Sequence, residues 1–258
     1  MPIKSNLKDL TPRREHYKRE ITLLSKNHTL PPDLKDKWPG GTITVFPWDH
    51  AVDTYFIDET RRGSDKDKLL YKLVARLSNL NGVDIEHFPA EEINTVLLVA
   101  RSIGSEKVQY TATCPACNNA ETQEISVPDE LEKKGEKDLD WPGYDDIELP
   151  DCKDVVRLRI LTVKDEQIIT SRNSEQRRGI NDGDLRVLMP VVSINDTTPD
   201  DIMELKVWFN ALPPQDAKFL VNQERELAPH LNTAIPMRCD HCSHQYTHVL
   251  LFDRLFFR

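Results

Sequence analysis

A chain of 258 residues, 38% hydrophobic and 30% charged, has material for one large domain or two small ones, and 17 prolines against 9 glycines imply many loops. A net charge of −9 argues against a general nucleic-acid binder, and no apolar run approaches the ~18 residues of a membrane span. The first residues lack a signal-peptide core, so the chain is expected in a reducing cytoplasm, where paired cysteines favour metal over disulfide. Residues 1–41 read as an N-terminal arm. Thr11-Pro12 offers a helix start, but the polar stretch that follows carries only a thin stripe of Tyr17, Ile21 and Leu24. Leu30-Pro31-Pro32 and Pro39-Gly40-Gly41 break regular structure. Such an arm is either a frayed tail or a segment that folds onto a neighbouring subunit.

From residue 42 the pattern is regular. Residues 42–46 read as a strand, and 48–56 as a short helix opened by Pro47 and followed by Arg61-Arg62-Gly63. Ser64 and Asp65 cap a second helix with Leu69, Leu70, Leu73, Val74, Leu77 and Leu80 on one face. A third begins near Pro89, carries Ile93, Val96, Leu97, Ala100 and Ile103, and stops at Gly104.

Cys114-Pro115-Ala116-Cys117 comes next, between the alternating stretches 108–112 and 124–127. Cys239-Asp240-His241-Cys242 lies in the same way between 234–238 and 246–252. Alternation is the strand period, so each pair is expected at the tip of a hairpin. A tight knuckle with two thiolates on one side supplies half of a tetrahedral zinc site. Two knuckles make a four-cysteine site of Cys114, Cys117, Cys239 and Cys242, which is coordinatively closed and therefore structural. The alternatives are a disulfide in each pair or buried free thiols. The pairs are 125 positions apart (239 − 114), far beyond a compact zinc ribbon, so a shared ion would join distant parts of the chain.

Residues 128–151 hold ten acidic residues against Lys133, Lys134 and Lys137, and read as a solvated loop in which Trp141 and Tyr144 are the unexpected members. After it the first half recurs. Residues 155–161 are a strand and 163–171 a helix, and Arg177-Arg178-Gly179 echoes Arg61-Arg62-Gly63. A helix over 185–192 is shortened or kinked by Pro190. Thr198-Pro199-Asp200-Asp201 opens a helix with Ile202, Leu205, Trp208, Phe209 and Leu212, three of which match Ile93, Val96 and Ile103 at an offset of 109 (202 − 93, 205 − 96, 212 − 103). An extra helix over 215–227 precedes the second cysteine pair. The fold class expected is α+β, internally duplicated strand–helix units that each end in a hairpin zinc knuckle, joined by one four-cysteine site. The halves span 42–127 and 152–258, with the acidic loop 128–151 between them.

With that order in hand the chain resembles the T-even-type phage baseplate hub proteins over roughly 42–258. The resemblance is carried by the helix at 88–103, the Cys114-Pro115-Ala116-Cys117 knuckle and the segment Arg157-Leu158-Arg159-Ile160-Leu161-Thr162-Val163-Lys164-Asp165-Glu166. The later helix pair, the second C-x-x-C and Leu255-Phe256-Phe257 complete it. Asn118 and Ser243 stand where the family's usual glycine follows each knuckle. The resemblance implies a structural part of the phage tail baseplate, or its assembly factor, in the virion after assembly in the host cytoplasm. The partners it implies are other tail and baseplate hub proteins, including the tape measure protein, with several copies per assembly and no membrane contact.

An enzyme is not expected. A catalytic zinc needs an open position and a general base, and four thiolates close the shell. His241, His244 and His248 near the second pair form no catalytic grouping, and Asp165 and Glu166 are explained by the helix dipole. The alternative is a zinc-ribbon nucleic-acid binder. It lacks basic surroundings, since only Lys107 and Arg238 lie near the knuckles, and Arg61-Arg62 and Arg177-Arg178 are expected to pair with acids between halves or subunits. The apolar end, Phe252, Leu255, Phe256 and Phe257, suits burial in a partner or packing onto the chain's own core.

Overall fold

The computed structural model of the protein describes residues 17–26, 28, 35–36, 38–63, 66–80, 85–103, 107–126, 132–171 and 177–250. The helix start at Thr11-Pro12, the break at 30–32, the cap at Ser64 and Asp65, the stop at Gly104 and the apolar end from Phe252 to Phe257 lie outside the described residues. Within them the architecture is α+β, with seven α-helices and small sheets.

The first core is built on a two-stranded pair, β1 (Arg19–Thr22) and β2 (Thr42–Val45), which run antiparallel with Ile21 opposite Ile43. Residues 19–22 are therefore strand rather than the helical stripe expected from Tyr17, Ile21 and Leu24. β-branched Ile21 and Thr22 suit the pleat, and a partner strand decides the matter. Leu23 and Leu24 follow into the core, and Gly41 packs directly on the backbone of Lys26, at a φ of 70° where an added Cβ would clash.

Three helices cover this pair. α1 (His50–Arg61) is capped by Asp49, whose carboxylate accepts the Val52 N–H. α2 (Lys66–Leu77) buries Leu69, Leu73, Val74 and Leu77. α3 (Glu92–Ser102) is buried nearly all round, with Ile93, Val96, Leu97, Leu98, Val99 and Ala100 in the core. The hairpin of β3 (Lys107–Thr113) and β4 (Ala120–Ser126) follows, and Tyr110, Ala112 and Ile125 root it in the same core.

The acidic stretch contains β5 (Lys133–Lys134) and β6 (Tyr144–Glu148). β6 is the outer strand of a three-stranded sheet with β7 (Val155–Arg159) and β8 (Val191–Ile194), in the order β6-β7-β8. Trp141 docks, as an indole in a loop should: its N–H donates to Asp145, the ring meets His28 edge-on, and Lys137 lies over its face. Between β7 and β8 come α4 (Val163–Ile169) and α5 (Asp182–Leu188). Pro190 ends that helical stretch, and the β-branched residues beyond it form β8 instead of continuing as helix to 192. α6 (Ile202–Ala211), capped by Asp201, and α7 (Pro214–Leu227) close a second core of Leu149, Val156, Leu158, Leu188, Leu205 and Leu220. The short β9 (His230–Leu231) pairs with β5, and the second hairpin is β10 (Ala234–Arg238) with β11 (Gln245–Val249). No helix among the described residues is long and apolar enough to cross a membrane.

The two cores meet at backbone level. Ala90 N–H donates to the Leu161 carbonyl and Val163 N–H to the Phe88 carbonyl, while Lys164 lies 3.8 Å from Glu86. Three contacts at the openings of the two cores stand 113 positions apart. The bridge between Val45 and Ser78 recurs as the pair Leu158 and Val191 (158 − 45, 191 − 78). The Phe46 N–H to Leu77 carbonyl bond recurs as Arg159 to Pro190, and the helix caps Asp49 and Thr162 keep the same interval.

The segment quoted from Arg157 to Glu166 is an ion-paired strand-to-helix corner. Arg157 pairs with Asp146, Arg159 grips Asp165 through both nitrogens, and Thr162 and Asp165 form a reciprocal cap on α4. Glu166 is held by Arg186 in the same bidentate way. The two Arg-Arg-Gly turns both put glycine at left-handed φ, 76° and 72°, and their pairs are local: Arg62 with Glu59, Arg177 with Asp182 and Arg178 with Asp201. Those pairs are short-range within the chain and do not join residues 42–127 to 152–258, which was one of the two arrangements expected, between halves or between subunits.

Candidate metal centre

Each cysteine pair sits where the strand ladder ends. Pairing in the first hairpin runs to Thr113 and Ala120, leaving 114–119 as the tip, and in the second to Arg238 and Gln245, leaving 239–244. The tips share one geometry. Cys114 N–H donates to the Asn119 carbonyl and Asn118 N–H to the Cys114 carbonyl; Cys239, His244 and Ser243 repeat both bonds at 2.8–2.9 Å. Asn118 and Ser243 take φ of 58° and 61°, the left-handed region that a glycine would adopt without strain, so the turn keeps its shape at some steric cost.

The four sulfurs converge. Their Sγ atoms all lie within 4.8 Å of one another, with Cys114 3.7 Å from Cys242 and Cys117 3.6 Å from Cys239. A disulfide requires about 2.05 Å, whereas the edge of a tetrahedron with ~2.3 Å zinc–sulfur bonds is about 3.8 Å. All five cysteines are free thiols, and the separations fit ligands of one ion. Cys114 and Cys239 are buried, Cys117 is half-buried and Cys242 is exposed, so the cluster opens to the surface on one side.

Electrostatics make the cluster receptive to a cation. Burial works against the Cys114 thiolate, but the N–H groups of Cys117 and Ala116 aim at its sulfur and bring its pKa down to about 7. At Cys239 the Cys242 N–H acts the same way, yet burial and the neighbouring sulfurs of Cys117 and Cys242 push its pKa up to about 12. One thiol of the group ionises readily and another resists, because several thiolates repel at this range. A divalent cation at the centre removes that conflict.

Cys152 is exposed, lies in the turn after Leu149 and is not part of the group. His241 and His244 are exposed, and His248 stacks on Tyr110 with ring centroids 5.3 Å apart. None of the three joins the sulfurs. Nothing in the residue pattern marks Glu121, on β4, whose Oε1 accepts from the Asp240 N–H at 2.9 Å and from Asn119 Nδ2 at 2.9 Å, and lies 3.4 Å from the Cys239 sulfur.

No curated protein and no solved structure matches the chain. A family model described as T4 bacteriophage base plate protein matches residues 53–257, which takes in α1 from Asp53 onward, α2 and α3, both hairpins and all four clustered cysteines. The chain therefore belongs to the T4 bacteriophage base plate protein family.

Proposed function

We propose that the chain is a structural part of the hub region of a phage tail baseplate, or the factor that assembles it, and that one structural zinc ion held by Cys114, Cys117, Cys239 and Cys242 joins its two halves. The observation that carries this reading is the convergence of four sulfurs, from hairpins 125 positions apart, within 4.8 Å (239 − 114). A four-thiolate shell has no open position for a substrate, so the ion stiffens the body rather than performing chemistry. A diverged internal duplication accounts for the halves, supported by the 113-position spacing of the two openings and by the matching tips. Because β1, Leu23, Leu24 and Trp38 belong to the first core rather than to a free arm, the apolar end from Phe252 is then the segment offered to neighbours, among them other hub proteins and the tape measure protein. The protein acts in several copies, in the virion after assembly in the host cytoplasm.

Peptide mass spectrometry of purified virions tests the placement. A structural part is recovered at fixed stoichiometry with the other baseplate proteins, and an assembly factor is recovered only from immature tails. Absence from both would contradict the baseplate reading.

A further inference from the structure

Glu121 reaches from the first hairpin to the tip of the second. The hairpins belong to separate two-stranded sheets, so no strand ladder holds one tip against the other. Besides the sulfurs, the contacts between them include the Tyr110 hydroxyl on the Met237 sulfur, the Tyr110–His248 stack and the Glu121 carboxylate on the Asp240 N–H. The second tip has little packing of its own, since residues 240–244 are all exposed.

The other half shows why this contact runs in one direction. At the 125-position offset of the tips, Tyr246 is the counterpart of Glu121 and Pro115 that of Asp240 (246 − 121, 240 − 115). Proline carries no N–H, so a carboxylate at position 246 would meet no donor on the first tip and would add an unbalanced charge beside the sulfurs. An uncharged tyrosine stands there instead. The donor and the acid occur together on one side, and both are replaced on the other.

We propose that Glu121 is a positioning residue of the metal centre: through the Asp240 N–H it seats the tip of the second hairpin so that Cys239 and Cys242 meet the same ion as Cys114 and Cys117. This rests on the four-sulfur reading above, and the test separates the two. Purified full-length protein is titrated with Co2+, whose visible spectrum reports the number of thiolate ligands, and binding is measured by competition with a chelator. Glu121→Ala is expected to bind about 10–100-fold more weakly and to shift toward a spectrum of fewer sulfurs. Glu121→Gln keeps an oxygen acceptor and stays close to wild type. Asp240→Pro removes the donor, and with it a carboxylate that Asp240→Ala removes alone, in a turn whose counterpart already holds Pro115; it reproduces the loss while Asp240→Ala, which keeps the N–H, stays close to wild type. The double variant Glu121→Ala with Asp240→Pro is no worse than either alone. If Glu121→Ala does not fold, Asp240→Pro against wild type decides. Wild-type affinity and spectrum in Glu121→Ala or Asp240→Pro would overturn the positioning role. A wild-type spectrum without four sulfurs would instead overturn the metal reading itself.

Discussion

Serine at Cys114 is expected to abolish tight metal binding, and serine at Cys239 to do the same, although the two lie on different hairpins. Both sulfurs belong to the group within 4.8 Å, so either change leaves three thiolates and a weak hydroxyl ligand. The stability lost follows from linkage. With free zinc a thousandfold above the wild-type Kd, losing the ion removes about 4 kcal/mol of folding stability. Urea denaturation with metal content measured in parallel checks this, and chelation of the wild type should produce the same loss. Cys152→Ser is the control, because that thiol lies outside the group and should leave metal and stability unchanged. Retention of half the metal by each variant would mean separate sites on the two hairpins.

The second large effect concerns Glu92, which is fully buried where the turn after β1 meets α3. Its Oε1 accepts the Ser25 N–H at 2.7 Å, while Oε2 is buried without a hydrogen-bond partner. Desolvation raises its pKa from 4.5 to about 7 and outweighs the Ser25 bond that favours the charged form. Below pH 4.5 the group is neutral folded and unfolded, and costs nothing. As pH rises toward 7 the unfolded chain gives up the proton first, so the folded state binds more protons and stability falls. The full penalty, about 3 kcal/mol, is reached above the folded pKa. Glu92→Gln should remove this part of the pH dependence, and should equal or exceed wild-type stability at pH 8 while differing little at pH 5. Denaturation midpoints at the two pH values decide it. A variant weaker than wild type at pH 8 would show that the ionised carboxylate stabilises the turn.

The elements that could be read from sequence are those whose signals are local. The heptad-like stripe of Leu69, Leu73, Val74 and Leu77 and the alternation around each C-x-x-C became a helix and two hairpins, and the cysteine spacing brought four sulfurs together. Misread segments have pairing partners far along the chain. Residues 19–22 look polar until β2 supplies a strand for Ile21 to face, and residues 144–148 look like acidic loop until β7 pairs with them. Val191 belongs to a strand because Leu158 lies opposite it, which no window around Pro190 reveals. Glu121 was hidden for the same reason. It alternates as an ordinary half-exposed strand residue, and its partner, the Asp240 N–H, lies more than a hundred positions away.

One ion bound only by sulfur is proposed to join the two halves. X-ray absorption at the zinc edge of the purified protein, with zinc counted per chain, tests it most directly. The expected result is about one zinc per chain and a single shell of four sulfurs at ~2.3 Å. Nitrogen or oxygen in that shell, or folded protein that carries no metal and has its thiols paired, would contradict it.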